Sequence, residues 1–163
     1  MAVGILEVHV VSAKGLKSTD FLGGIDPYVV VQYRNQERQT SVARGAGGSP
    51  EWNEKLTFRV EYPINGQGGG GGEHKLLLKI MDHDTFSADD FLGLATIHQV
   101  KDLLEIGVEK GSSELHPCKH SVVTAANSYC GEIKVGLTIT IKQEGGDGGQ
   151  GQQFGGWRQS RDF

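Results

Sequence analysis

Two groups of aspartates stand where oxygen ligands could converge on one point. Asp20 and Asp26 bracket Phe21, Leu22, Gly23, Gly24 and Ile25, and Asp82, Asp84 and Asp90, with Asp89 alongside, enclose Phe86 and Ser87. Each group falls in a turn between strand-like runs, where side chains project without belonging to a sheet face. Carboxylates at i and i+2 in a loop can share a target, and a hard cation such as Ca²⁺ takes roughly six to eight oxygens at about 2.3 to 2.6 Å. Without a cation between them, these five carboxylates would repel one another strongly. The EF-hand, the nearest competing calcium motif, fails on position. Counted from Asp82, it would place Phe86 at the ligand in loop position five, Ser87 at the turn glycine and Gly93 at the closing glutamate.

The elements that must position these groups are strands. Alternation of apolar and polar residues runs through Leu6, Val8, Val10; Val29, Val31, Tyr33; Leu56, Phe58, Val60, Tyr62; Leu76, Leu78, Ile80; and Ile133, Val135, Leu137, Ile139, Ile141. Weaker strand patterns lie near Glu37 to Ala43, Phe91 to Ile97 and Glu114 to Cys118. The sum is about eight short strands separated by turns, which predicts an all-β, eight-stranded antiparallel β-sandwich. Val100, Leu103 and Leu104 form the one helix-like set, and the expectation there is a single covering turn.

The chain of 163 residues is long enough for one domain with a sizeable core. Of its 25 glycines, 13 fall between Gly66 and Gly72 or between Gly145 and Gly156. The first block predicts a loose surface loop over 65–72, and the second a Gly/Gln-rich tail over 143–163, mostly disordered, following a domain over 1–142. Phe154 and Trp157 are aromatic residues of that tail able to meet a protein partner. Net charge is −4, which argues against bulk attraction to nucleic acid, so an RNA partner is unsupported by charge. Two cysteines, Cys118 and Cys130, do not make a disulfide scaffold. The apolar start, Val3 to Ala13, has no basic residue before it and is interrupted by Glu7 and His9, so it reads as a strand rather than a signal-peptide core. The expectation is a cytoplasmic monomer that meets membranes only peripherally.

Taken in order, Asp20 to Ile25 with Asp26-Pro27-Tyr28-Val29, then Pro50-Glu51-Trp52-Asn53-Glu54, then Asp82-x-Asp84 with Asp90-Phe91-Leu92-Gly93, resemble a C2 domain over about residues 3 to 142. The opening strand leads directly into the first acidic loop and a long strand closes the pattern, which resembles the permuted (type II) C2 topology. The short form and the Phe154-Gly155-Gly156-Trp157 tail are similar to small single-domain plant C2 proteins of the elicitor-responsive and phloem type. The resemblance implies that Asp20, Asp26, Asp82, Asp84 and Asp90 bind two or three Ca²⁺ ions, with the main-chain carbonyls of Thr19 and His83 and, more weakly, Ser87 as further ligands. It also implies calcium-dependent recruitment to the plasma membrane in defence signalling and, for the phloem relatives, movement between cells with RNA.

In such domains the apolar residues beside the ligands insert into the bilayer, here Phe21, Leu22 and Phe86. Each fully buried apolar side chain is worth roughly 1.5 to 3 kcal/mol. Arg34, Arg38 and Arg44 fall where some C2 domains carry a phosphoinositide patch, diluted here by Gln32, Asn35, Gln36, Glu37 and Gln39. Trp52 and Asn53 read as a turn and strand entry. His116, Cys118 and His120 share a strand face but lack a fourth ligand at zinc spacing. No nucleophile elbow, phosphate loop or catalytic His/Cys set is present, so the chain does not read as an enzyme. The alternative is a protein- or RNA-interaction factor in which calcium is structural and lipid binding minor.

Overall fold

The computed structural model describes residues 2–17, 25–62, 74–85 and 87–143. Eight strands and one helix follow in order: β1 Ala2–Lys14, β2 Pro27–Tyr33, β3 Gln36–Gln39, β4 Glu51–Tyr62, β5 Leu76–Asp82, β6 Asp90–Ile97, α1 Val100–Lys110, β7 Ser112–Val123 and β8 Tyr129–Gln143. They run β3-β2-β5-β6-β7-β8-β1-β4, with neighbours antiparallel. The only register pair between β6 and β7 is Leu94↔Val123, so the fold divides there into two four-stranded layers. The first and last strands pair along their whole length, from Ala2↔Gln143 to Lys14↔Glu132.

The alternating residues meet between the layers. Leu6, Val8, Val10, Val29, Val31, Tyr33, Leu76, Leu78, Ile80, Ile133, Val135 and Ile139 are fully buried, and Phe58, Val60 and Leu137 nearly so. Leu56, Tyr62, Leu115 and Ile141 pack against this core while partly exposed. Within β4, the pairs Val10↔Glu54 and Ser12↔Glu51 leave one extra residue on β4. Asn53 absorbs this bulge with φ 51°, and Trp52 Nε1–H donates to the Pro27 carbonyl at 3.2 Å. Trp52 thereby ties β4 to the start of β2.

The expectation of a single covering turn is overturned, because α1 has 11 residues. Val100, Leu103, Leu104 and Gly107 are its buried residues, an i, i+3, i+4, i+7 face on which the glycine hides the apolar signal. A Cβ on Gly107 would lie 3.2 Å from Ile141 Cγ1, so the missing side chain lets the helix lie close to β8.

Candidate metal centre

Pairing between strands brings the acidic residues to one end of one layer. Pro27 pairs with Asp82, and Asp82 with Asp90, so Asp26 just before β2, Asp82 closing β5 and Asp90 opening β6 stand at adjacent strand ends. Asp84 follows two residues beyond Asp82. The Asp26 amide N–H donates to Asp82 Oδ1 at 2.9 Å, the His83 N–H donates to the Asp26 carbonyl at 3.0 Å, and the Gly45 N–H donates to Asp26 Oδ1 at 2.7 Å. Four of the five expected aspartates, Asp26, Asp82, Asp84 and Asp90, therefore share this end. Thr19, Asp20, Phe21, Leu22 and Phe86 lie outside the described residues, as do the Gly-rich loop 65–72 and the tail from residue 144 onward.

Asp82 feels the cluster electrostatically. Burial lifts its carboxyl above the usual range, and repulsion from Asp26, Asp90 and Asp84 adds to this against the opposing Asp26 N–H. Asp89 shifts the other way, held low first by the Tyr28 hydroxyl, then by the Asp84 N–H and His83. Tyr28 O–H donates to Asp89 Oδ2, the Asp84 N–H donates to Asp89 Oδ1 at 3.0 Å, and His83 Nδ1 lies 3.7 Å from that same oxygen. Burial and Asp89 together raise the Tyr28 phenol to about 12. Asp89 is thus a brace between the second acidic loop and β2, not a fifth carboxylate added to the cluster. Its role was missed in the sequence, where the only signal was its position next to Asp90. The Ser87 hydroxyl donates to Asp84 Oδ2 at 2.8 Å and so lies beside a predicted ligand.

Among the described residues no three acidic, His or Cys side chains stand in a ready metal-binding arrangement. Asp26 Oδ1, Asp82 Oδ1 and Asp84 Oδ2 instead accept hydrogen bonds from neighbouring N–H and O–H groups. The donor chemistry nevertheless fits a hard divalent cation. The oxygens are carboxylate, and Asp82 resists ionisation first because it is partly buried and then because three like charges lie near it, the second of which a cation relieves.

The three arginines do not form one patch. Arg34 lies in the β2–β3 turn, at the far end of β2 from Asp26. Arg44 precedes Gly45 on the acidic end. Arg38 stacks its guanidinium 5.6 Å from the Phe58 ring centroid and donates to the Glu37 carbonyl. On β7, the register shifts between Leu115 and Cys118 around Pro117. Cys118 Sγ lies 3.6 Å from His120 Nε2, whereas His116 pairs with Glu114 at 3.2 Å.

The C2 domain family profile matches residues 4–115. The chain belongs to the C2 domain family. It is 53% identical over 162 residues, 99% of either chain, to 16 kDa phloem protein 1 of Arabidopsis thaliana. It is 52% identical over 160 residues, 96% of either chain, to elicitor-responsive protein 1 of Oryza sativa subsp. japonica. Among solved structures, a C2 domain-containing protein from an elicitor-responsive gene superposes with a TM-score of 0.61 at 38% identity, covering 90% of this chain and 96% of that one. In this C2 domain the N-terminal strand pairs with the C-terminal one and leads straight toward the first acidic loop, as the permuted topology requires. C2 domains are in general lipid- and membrane-binding modules, and calcium is the ion that members of the family generally bind. Among the described residues no helix is long and apolar enough to cross a membrane.

Proposed function

We propose that this C2 domain is a calcium-dependent, non-enzymatic module that docks on anionic membrane through its acidic end. The observation that carries the reading is the gathering of Asp26, Asp82, Asp84 and Asp90 at adjacent strand ends, with Asp82 burdened by the other three. Asp20 and the main-chain carbonyls of Thr19 and His83 complete the ligand set, with Ser87 as a weaker contributor, around two or three ions. Bound calcium supplies positive charge and open coordination positions for lipid phosphate oxygens.

Each protein group then has a distinct task. Asp82 sits between Asp26 and Asp90 and binds from the centre of the cluster. Asp84 is held in place by Asp89 through its own N–H. Without the cation the clustered carboxylates repel an anionic surface, so the same residues that bind also switch. Phe21, Leu22 and Phe86 enter the bilayer beside the ligands and add an apolar contribution to the electrostatic one. The module moves from cytoplasm to plasma membrane when calcium rises, and the elicitor-responsive name of the rice relative supports a setting in defence signalling. The domain runs through the end of β8 at Gln143, one residue past the expected boundary of 142, and the tail beyond it is an accessory that can meet a protein partner through Phe154 and Trp157.

Sedimentation with anionic and neutral vesicles, in calcium and in chelator, tests the reading on the full chain and on Asp82→Asn/Asp84→Asn. The native chain should pellet with anionic vesicles only in calcium, and the double variant should lose that response while keeping its circular dichroism. Retained calcium-dependent pelleting in the double variant overturns the ligand assignment. Calcium binding by calorimetry with no pelleting at all would make the loops structural and direct attention to a protein or RNA partner.

A further inference from the structure

The acidic end has a basic neighbour that the calcium reading does not use. Ser12 and Lys14 close β1, Glu132 and Lys134 lie early in β8, and Lys119 sits in β7. The registers Ser12↔Lys134, Lys14↔Glu132 and Lys119↔Lys134 set these residues side by side across three neighbouring strands. Ala13, Ile133 and Val135 turn into the core, so alternation leaves Lys14, Glu132 and Lys134 on the outer face. Together with Ser12 and Lys119 they line a shallow cleft of about 200 Å³.

The cleft carries more positive charge than its one carboxylate can balance. Glu132 Oε1 lies 4.0 Å from Lys14 Nζ and 3.8 Å from Lys119 Nζ, so two ammonium groups share one oxygen while Lys134 lines the same cleft. Ion pairs this long, with the lysine side chains 61% and 58% exposed, contribute little to stability. Lys119 directly opposite Lys134 is a like-charge cross-strand pair, which costs stability. The arrangement is therefore poorly explained as a staple for the sheet and well matched to an anion. Lysine ammoniums suit phosphate as point charges, and the Ser12 hydroxyl can donate beside them.

The cleft lies close to the acidic end. Leu16, two residues beyond Lys14, donates its N–H to the Gly48 carbonyl at 3.2 Å. Gly47 donates to the Ile25 carbonyl at 3.1 Å, and Gly45 to Asp26 Oδ1 at 2.7 Å. A short run of backbone thus joins the cleft to the aspartates. We propose that the Lys14–Lys119–Lys134 cleft is a second binding site, for the phosphate of an anionic lipid headgroup in the membrane that the acidic loops face. The membrane source rests on the function proposed above, whereas the phosphate chemistry does not. Glu132 competes with the headgroup for the same ammoniums and so sets the affinity of the cleft.

The test uses the full chain, Lys119→Ala/Lys134→Ala and Glu132→Gln. Each is titrated with phosphatidylcholine vesicles carrying phosphatidylinositol bisphosphate and with soluble inositol trisphosphate, in chelator and in calcium. At about 1 kcal/mol per basic residue near an anionic surface, each lost lysine should weaken vesicle binding about fivefold and the double variant about 25-fold. Glu132→Gln should bind about fivefold tighter with a steeper salt dependence, an outcome that a merely structural carboxylate would not produce. Melting temperatures and solution calcium affinity should stay close to those of the native chain. Equal vesicle affinities in all three proteins overturn the site. Lysine-dependent binding of inositol trisphosphate without vesicle binding overturns the lipid source. Because the lysine effect is also read in chelator, a failure of the calcium reading, seen in Asp82→Asn/Asp84→Asn, is distinguishable from a failure of the cleft.

Discussion

Tyr28 and Asp89 set the shape of the second acidic loop. The Tyr28 hydroxyl reaches one Asp89 oxygen and the Asp84 N–H reaches the other, so the loop that carries Asp84 is braced on β2. Tyr28→Phe keeps the ring and removes only the donor. A hydrogen bond to a charged group contributes about 1.5 to 3 kcal/mol, and partial exposure reduces this, so calcium affinity measured by calorimetry should fall about tenfold with the far-ultraviolet spectrum unchanged. Unchanged affinity would mean that the loop holds its shape without the brace. That Asp26, Asp82, Asp84 and Asp90 gather at one end was legible in the sequence, because spacing within a turn constrains where side chains can aim. Asp89 was not, because its partner Tyr28 is 61 positions away and only strand pairing brings the two together.

At the scale of elements, the strand ends do the positioning, and their exact registers depend on a few backbone exceptions. Gly131 enters β8 with φ 81°, and a Cβ there would lie 2.4 Å from the Lys14 carbonyl oxygen. Gly131→Ala should therefore cost about 2 kcal/mol or more in chemical denaturation, from both the left-handed backbone and the backbone clash. It should also disturb the Lys14↔Glu132 register on which the lysine cleft is built. A neutral effect would show that β1 and β8 can separate locally at little cost. The strands were legible because period-two alternation reports a half-buried sheet directly. The helix was undercounted because its fourth buried position is Gly107, which has no side chain to reveal a periodic face.

At the scale of the molecule, the two layers close on one another along their outer edges. Gln36 on β3 donates its side-chain N–H to the Arg59 carbonyl at 2.8 Å and accepts the Arg59 N–H at 2.9 Å, so one amide side chain bridges the edge strands β3 and β4. Nearby, Tyr33 Oη and His74 Nδ1 lie 2.8 Å apart in the partly buried margin of the core. Burial lowers the proton affinity of His74, with Arg34 and Lys101 adding to the effect, and burial likewise lowers that of His120. A histidine held below its ordinary value binds fewer protons folded than unfolded. Stability from both residues is thus fully present above the ordinary value of 6.5 and is lost as pH falls through it toward the depressed folded values. Melting temperature in chelator should decline over that window, with a shallower decline in His74→Gln. An identical slope in the variant would remove His74 from the explanation.

The sequence by itself determined the sandwich, its core positions, the family and the acidic turns, because alternation, turn residues and short ligand spacings are local properties of the chain. Only the tertiary structure decided which residues become neighbours across strands. It placed Asp26, Asp82 and Asp90 at adjacent ends, braced Asp84 through Asp89 and Tyr28, separated Arg34 from Arg44, and assembled Lys14, Lys119 and Lys134 around Glu132. The physical reason is that register fixes these contacts, and register depends on bulges and pairings between segments far apart in sequence, which no local pattern encodes.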